Sequence, residues 1–147
     1  MSKNRQPQDS HKISLGDWSI EELPGLNSEE RSQLLECGIT TTGMLISQAN
    51  SPAAKVALSN QLKVNLERVN KWVALADLAR IPSVGVQYCG LLLHAGVVSV
   101  AQLRNMPTHR LHKQFLRLQV ATMQRRDLCP TIEQVQLWIQ QAQSIMN

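Results

Sequence analysis

A four-residue motif occurs twice in this chain, and its recurrence sets the size of the unit the chain can fold into. Leu23-Pro24-Gly25-Leu26 returns as Ile81-Pro82-Ser83-Val84, an offset of 58 residues (23 to 81). At that offset Leu34-Leu35 matches Leu92-Leu93, Gly38-Ile39 matches Gly96-Val97, and Leu45 matches Leu103. Further on, Val69, Trp72, Val73 and Ala76 match Val135, Trp138, Ile139 and Ala142 at an offset of 66 (72 to 138). The second copy is therefore longer by 8 residues (66 − 58), inserted between Leu103 and Thr131. Such self-similarity marks one supersecondary unit used twice. Neither copy is large enough to bury its own apolar face. Residues 17–75 and 76–147 are thus expected to pack as one compact domain with pseudo-twofold symmetry, after a flexible tail at 1–16.

The repeated unit reads as helical. From Trp18 onward Leu, Val and Ile recur at spacings of three and four, and no long alternating run asks for a strand. The expected fold class is all-α, with eight or nine short helices. Ser51-Pro52 offers an N-cap followed by proline in the first turn. Ser99 with Gln102, and Thr131 with Gln134, fit the capping box. Breaks are expected at Pro82, at Asn105-Met106-Pro107 and at Cys129-Pro130.

Composition narrows the class of protein. The 147 residues are 43% hydrophobic, too apolar for a fully disordered chain. No apolar run approaches the roughly 18–20 residues of a membrane span, and the polar start lacks the apolar stretch of a secretory signal. The expectation is a soluble, cytoplasmic protein with no membrane contact. Cys37, Cys89 and Cys129 are sparse, odd in number and free of any C-x-x-C pairing, which argues against a disulfide framework or a zinc site. Cys37 and Cys89 lie among leucines and read as buried small residues.

Each copy has the order apolar–Pro–(Gly or Ser)–apolar–(Asn or Gly), a helix, Gly–apolar–(Thr or Val)–(Thr or Ser), and another helix. This resembles the helix-hairpin-helix family, whose core is a tight Pro-Gly-apolar-Gly turn between two helices. The turn would be residues 23–27 in one copy and 81–85 in the other. Doubled units with a Val-x-x-Trp-Ile-like closing helix most resemble the domain of unknown function 4332 family. The wider family implies DNA binding without base specificity. A turn at a helix N-terminus offers unpaired N–H groups and the positive end of the dipole, and glycine lets a phosphate come close. Such contacts position a duplex without reading it.

Both turns depart from that pattern. In the first, Asn27 replaces the second glycine and forms a candidate capping box with Glu30, while Glu29 and Glu30 put negative charge where a phosphate would sit. Arg31 also replaces the small residue usual at that helix position. Residues 17–36 carry one Arg against six acids, so this turn is expected to be structural. The second turn has Ser83 for the first glycine, keeps Gly85, and continues as Val86-Gln87-Tyr88, with neither acid nor base nearby.

The strongest electrostatic feature lies downstream. Residues 78–126 contain no Asp or Glu and seven bases: Arg80, Arg104, Arg110, Lys113, Arg117, Arg125 and Arg126. On a helix starting near Thr108, Arg110, Lys113 and Arg117 fall within about 60° of one another at about 100° per residue. Leu111, Phe115 and Leu118 occupy the adjoining face and are expected to point inward. The candidate nucleic-acid contacts are therefore Ser83, Val84, Gly85, Val86 and Gln87 of the second turn, with Arg104, Arg110, Lys113, Arg117, Arg125 and Arg126.

Other candidates carry less. His109 and His112 share a helix face without an acid or cysteine close in sequence to complete a metal site, so no metal and no cofactor is expected. Trp72 and Trp138 occupy equivalent repeat positions, which favours core packing over base stacking. No P-loop, dinucleotide fingerprint or catalytic triad is present, and the chain is expected not to be an enzyme. The leading expectation is a small binding module holding nucleic acid through phosphates. The alternative is a protein-interaction adaptor with architectural turns, whose oppositely charged halves could also drive self-association.

Overall fold

The computed structural model describes residues 15–121 and 129–145, residues 119–121 by their backbone alone. Among these residues the elements are a short 3-10 turn, Ile20–Glu22, and eight α-helices: α1 Ser28–Glu36, α2 Thr42–Gln48, α3 Pro52–Leu62, α4 Leu66–Ala79, α5 Gly85–His94, α6 Val100–Leu103, α7 Thr108–Ala121 and α8 Ile132–Ser144. The fold is all-α. The β-type contact among the described residues is one isolated bridge, Ser19 to Thr41. It is flanked by Ile20 N–H donating to Thr40 O (3.0 Å) and Thr42 N–H donating to Trp18 O (2.8 Å).

Local chemistry explains most helix boundaries. Asn27 caps α1 in a full capping box, accepting from Glu30 N–H while Glu30 accepts from Asn27 N–H. Ser51 caps α3, with Pro52 as its first residue. Thr131 and Gln134 close the expected box on α8. At α6 the expected box is only half formed. Ser99 Oγ accepts from Gln102 N–H, but the Gln102 carboxamide accepts from Val98 N–H instead of Ser99 N–H (2.8 Å), and donates to Gly96 O. The extended Ser99 backbone (φ −160°) places Val98 within reach of the returning amide.

The helices preceding Gly38 and Gly96 end alike. Cys37 and Ala95 N–H each turn back to carbonyls of the last turn, and Gly38 (φ +84°) and Gly96 (φ +95°) then take left-handed backbone. Ile39 N–H donates to Leu34 O (2.9 Å), and Val97 N–H to Leu92 O (3.0 Å). Thr41 and Ser99 follow as N-caps of α2 and α6. The 58-residue offset read from the sequence is thus also an offset between matching backbone turns.

One apolar cluster runs from Ile20 to Ile145 and draws on residues of both copies. Trp72, Trp138 and Phe115 are its largest fully buried side chains. Trp138 lies 5.0 Å from the Tyr88 ring and meets Phe115 edge-on at 6.0 Å. Helix α4 packs on α2, α3 and α5, while α8 packs on α6 and α7. No helix among the described residues is long and apolar enough to cross a membrane.

Candidate nucleic-acid interface

The first turn is closed from within. Beyond the Asn27 capping box, Arg68 reaches back from α4 and donates through Nε to Glu30 Oε2 (2.8 Å) and through Nη2 to both Glu30 Oε1 and Gly25 O. The hydrogen bond from Arg68 holds the Glu30 carboxyl below its ordinary value of 4.5; burial opposes this and the Asn27 N–H assists it. Sequence reading did not find Arg68, because 38 residues separate it from Glu30 and no local pattern links them.

The second turn is also largely occupied. Val84 N–H and Gly85 N–H both donate to Ile81 O (3.0 and 2.9 Å), and Ser83 N–H donates to Gln141 Oε1 (3.0 Å). Ser83 O accepts from Trp138 Nε1 (3.2 Å). Val84 is 1% exposed. Gly85 has φ +52°, yet its open side is covered: a Cβ there would lie 2.9 Å from Trp18 Cζ2. Trp18 is pinned in place by its Nε1–H, which donates to Ala79 O (2.9 Å), and by Trp18 N–H, which donates to Thr42 Oγ1 (3.0 Å).

These contacts limit what the second turn can offer a phosphate. Ser83, Val84 and Gly85 cannot present free N–H groups to a phosphate, since those groups are spent inside the turn and the indole fills the close-approach face. Val86 and Gln87, at the start of α5, are the turn members whose N–H groups find no partner among the described residues. Val84 supplies no side-chain cap there.

Helix α7 presents the expected amphipathic faces. Leu111 and Phe115 are fully buried and Leu118 is half-buried, while Arg110, Lys113 and Arg117 are exposed. None of these three cations forms an ion pair with a described residue. Arg104 is half-buried at the end of α6, where its carbonyl accepts from Gln143 Nε2 (3.1 Å). Arg125 and Arg126 lie outside the described residues.

The stripe and the second turn do not form one pocket. Arg117 lines a cavity with His94 and Ala95, at the C-terminal end of α5, whereas Val86 and Gln87 stand at its N-terminal end. The eight intervening steps amount to about 12 Å of helix. The negative end of the α5 dipole, not the positive end, lies beside Arg117.

Remaining candidates are placed as follows. Trp72 and Trp138 are 0% exposed, so neither offers a face for base stacking. Burial pushes the Cys89 thiol up to about 11, the reverse of nucleophile activation. Cys37 is half-buried and accepts from Gln61 Nε2 (3.3 Å). No cluster of three or more His, Cys, Asp or Glu able to hold a metal occurs among the described residues.

Comparison with curated proteins finds no match. Comparison with solved structures also finds none. A family model does match, over residues 24–145, a span that begins in the first turn and ends just past α8. The chain belongs to the DUF4332 family, a domain of unknown function.

Proposed function

We propose that this protein is a non-enzymatic binding module of tandem helix-hairpin-helix units, in which both turns are architectural and α7 holds nucleic acid through its phosphates. The tandem reading is supported by the matching turns at Gly38 and Gly96 and the matching N-caps at Thr41 and Ser99. The observation that carries the binding surface is the exposed row Arg110, Lys113 and Arg117, which forms no ion pair with a described residue and is set in a stretch without an acid from residue 78 to 126. Three phosphate contacts would give a slope of log affinity against log salt near about −3 on duplex DNA. Backbone contacts of this kind carry little base preference.

The test is fluorescence anisotropy with labelled duplex DNA, single-stranded DNA and RNA, at about 50 mM and about 200 mM salt. Arg110→Glu, Lys113→Glu and Arg117→Glu together should abolish binding while the helical circular dichroism signal is kept. Unchanged affinity would remove the stripe as the site. A second reading, a protein-interaction adaptor, is favoured by the internal closure of both turns. It gains ground if no oligonucleotide binds at the lower salt and a defined protein co-purifies after nuclease treatment.

A further inference from the structure

Helix α4 buries one side in the core and leaves a concave strip on the other. Val73 of α4, Ile46 of α2, Leu93 of α5 and Val98 before α6 line a groove of about 480 Å3. Ile46, Val73 and Leu93 are half-buried, and Val98 is 53% exposed. Lys55 and Lys71 stand in its walls. Through Lys71 and Leu93 the groove runs into a second concavity over Pro24 and Gly25. Its size is that of ordinary ligand and peptide sites.

The charge around this strip is unbalanced. Asp77 is the acid in its wall, and both carboxylate oxygens are engaged, Oδ1 by Arg80 and Oδ2 by Val100 N–H (2.8 Å). Glu30, whose charge Lys71 feels, is held by Arg68 and Asn27 N–H. Lys55 and Lys71 form no ion pair with a described residue. An occupant is therefore recognised by carboxylates at the rim and apolar side chains on the floor.

The absence of rings from this lining separates a peptide from a nucleic acid. Single-stranded sites stack bases on aromatic side chains. No aromatic residue lines the groove; Trp72, Trp138 and Phe115 are buried in the core, and Trp18 is committed to Gly85. We propose that the α4 groove docks a short segment of a partner protein in which aliphatic residues alternate with acidic ones, as an amphipathic segment lies in an apolar groove. This surface is separate from the α7 row and does not depend on it.

The experiment pans a random peptide display library against the full chain, then titrates the enriched peptide by anisotropy and maps it by amide chemical shifts. Enrichment of acidic, aliphatic sequences is expected, with shifts at Ile46, Val73, Leu93 and Val98. Lys55→Glu with Lys71→Glu should weaken binding about tenfold, the scale of two reversed rim contacts. Val98→Ser, at an exposed position, should weaken it several-fold. The triple α7 change should leave it unaltered, so failure of this proposal and failure of the phosphate reading are distinguishable. The proposal falls if no peptide is enriched, if the enriched peptides lack acids, or if the folded lysine variant binds equally well. It falls also if the lysine changes abolish oligonucleotide binding instead, which would assign the groove to nucleic acid.

Discussion

Replacing Glu30 with Ala tests whether the first turn is held shut by its own chain. Glu30 is 7% exposed and accepts from Asn27 N–H and from both Arg68 donors. Loss of its half of the capping box should cost about 1 kcal/mol. The ion pair adds roughly 1–2 kcal/mol, reduced by solvent because the Arg68 side chain is 37% exposed. The expected total of about 2–3 kcal/mol corresponds to a Tm lowered by roughly 5–10 °C for a chain of this size. A double-mutant cycle with Arg68→Ala should return a coupling of about 1 kcal/mol. The pH dependence gives an independent check. The folded carboxyl titrates below its ordinary value of 4.5, so its stabilisation is complete above that value and is lost as pH falls through the folded value. Urea midpoints of the parent and Glu30→Ala should therefore converge below about pH 4.5. A gap that stays constant down to about pH 3, or a cost under about 0.5 kcal/mol at neutral pH, would refute the internal closure.

Three further outcomes are expected. Trp138→Phe should cost about 1 kcal/mol more than Trp72→Phe, because Trp138 Nε1 donates to Ser83 O whereas Trp72 Nε1 is buried without a partner among the described residues; equal urea midpoints would count against this. Gly38→Ala and Gly85→Ala both force a side chain into left-handed backbone, but a Cβ meets nothing within 4 Å at Gly38 and Trp18 at 2.9 Å at Gly85. Gly85→Ala should thus be the more destabilising, by about 1 kcal/mol or more in chemical denaturation, and the reverse order would contradict the indole contact. Cys89, fully buried with its thiol pushed up to about 11, should resist a thiol reagent in the native protein and react only in denaturant, while Cys37 reacts without unfolding. Rapid native labelling of Cys89 would show that α5 opens readily.

What the sequence makes legible is what neighbouring residues decide. Capping at Asn27, Ser51 and Thr131 involves atoms three residues apart, and the amphipathic pattern of α7 follows from its period alone. Even the missed detail at Ser99 concerns a shift of one residue in the acceptor's partner. What the sequence does not show is where distant residues intervene at the second turn. Gln141 takes the Ser83 N–H from 58 residues away, and Trp18 crosses 61 residues to reach Ala79 and cover Gly85. Propensity and spacing carry no trace of such pairings, because each depends on how α4 and α8 place the ends of the turns. The position of Arg117 beside His94 and Ala95, at the far end of α5, is of the same kind.

The strap formed by residues 15–20 bears on how the chain acquires this structure. Gly16 N–H donates to Arg80 O, the Trp18 indole seals Ala79 and Gly85, and Ile20 pairs with Thr40. During synthesis these residues emerge well before α4 does, and the carbonyls of Ala79 and Arg80 that they close follow more than 60 residues later. The strap therefore cannot close on Ala79 and Arg80 until α4 has been made. A cut between residues 75 and 76 would follow the repeat yet sever Trp18 from Ala79 and Gly85. These contacts of long sequence range, from Gly16 to Arg80 and from Trp18 to Ala79 and Gly85, are of the kind that slows folding.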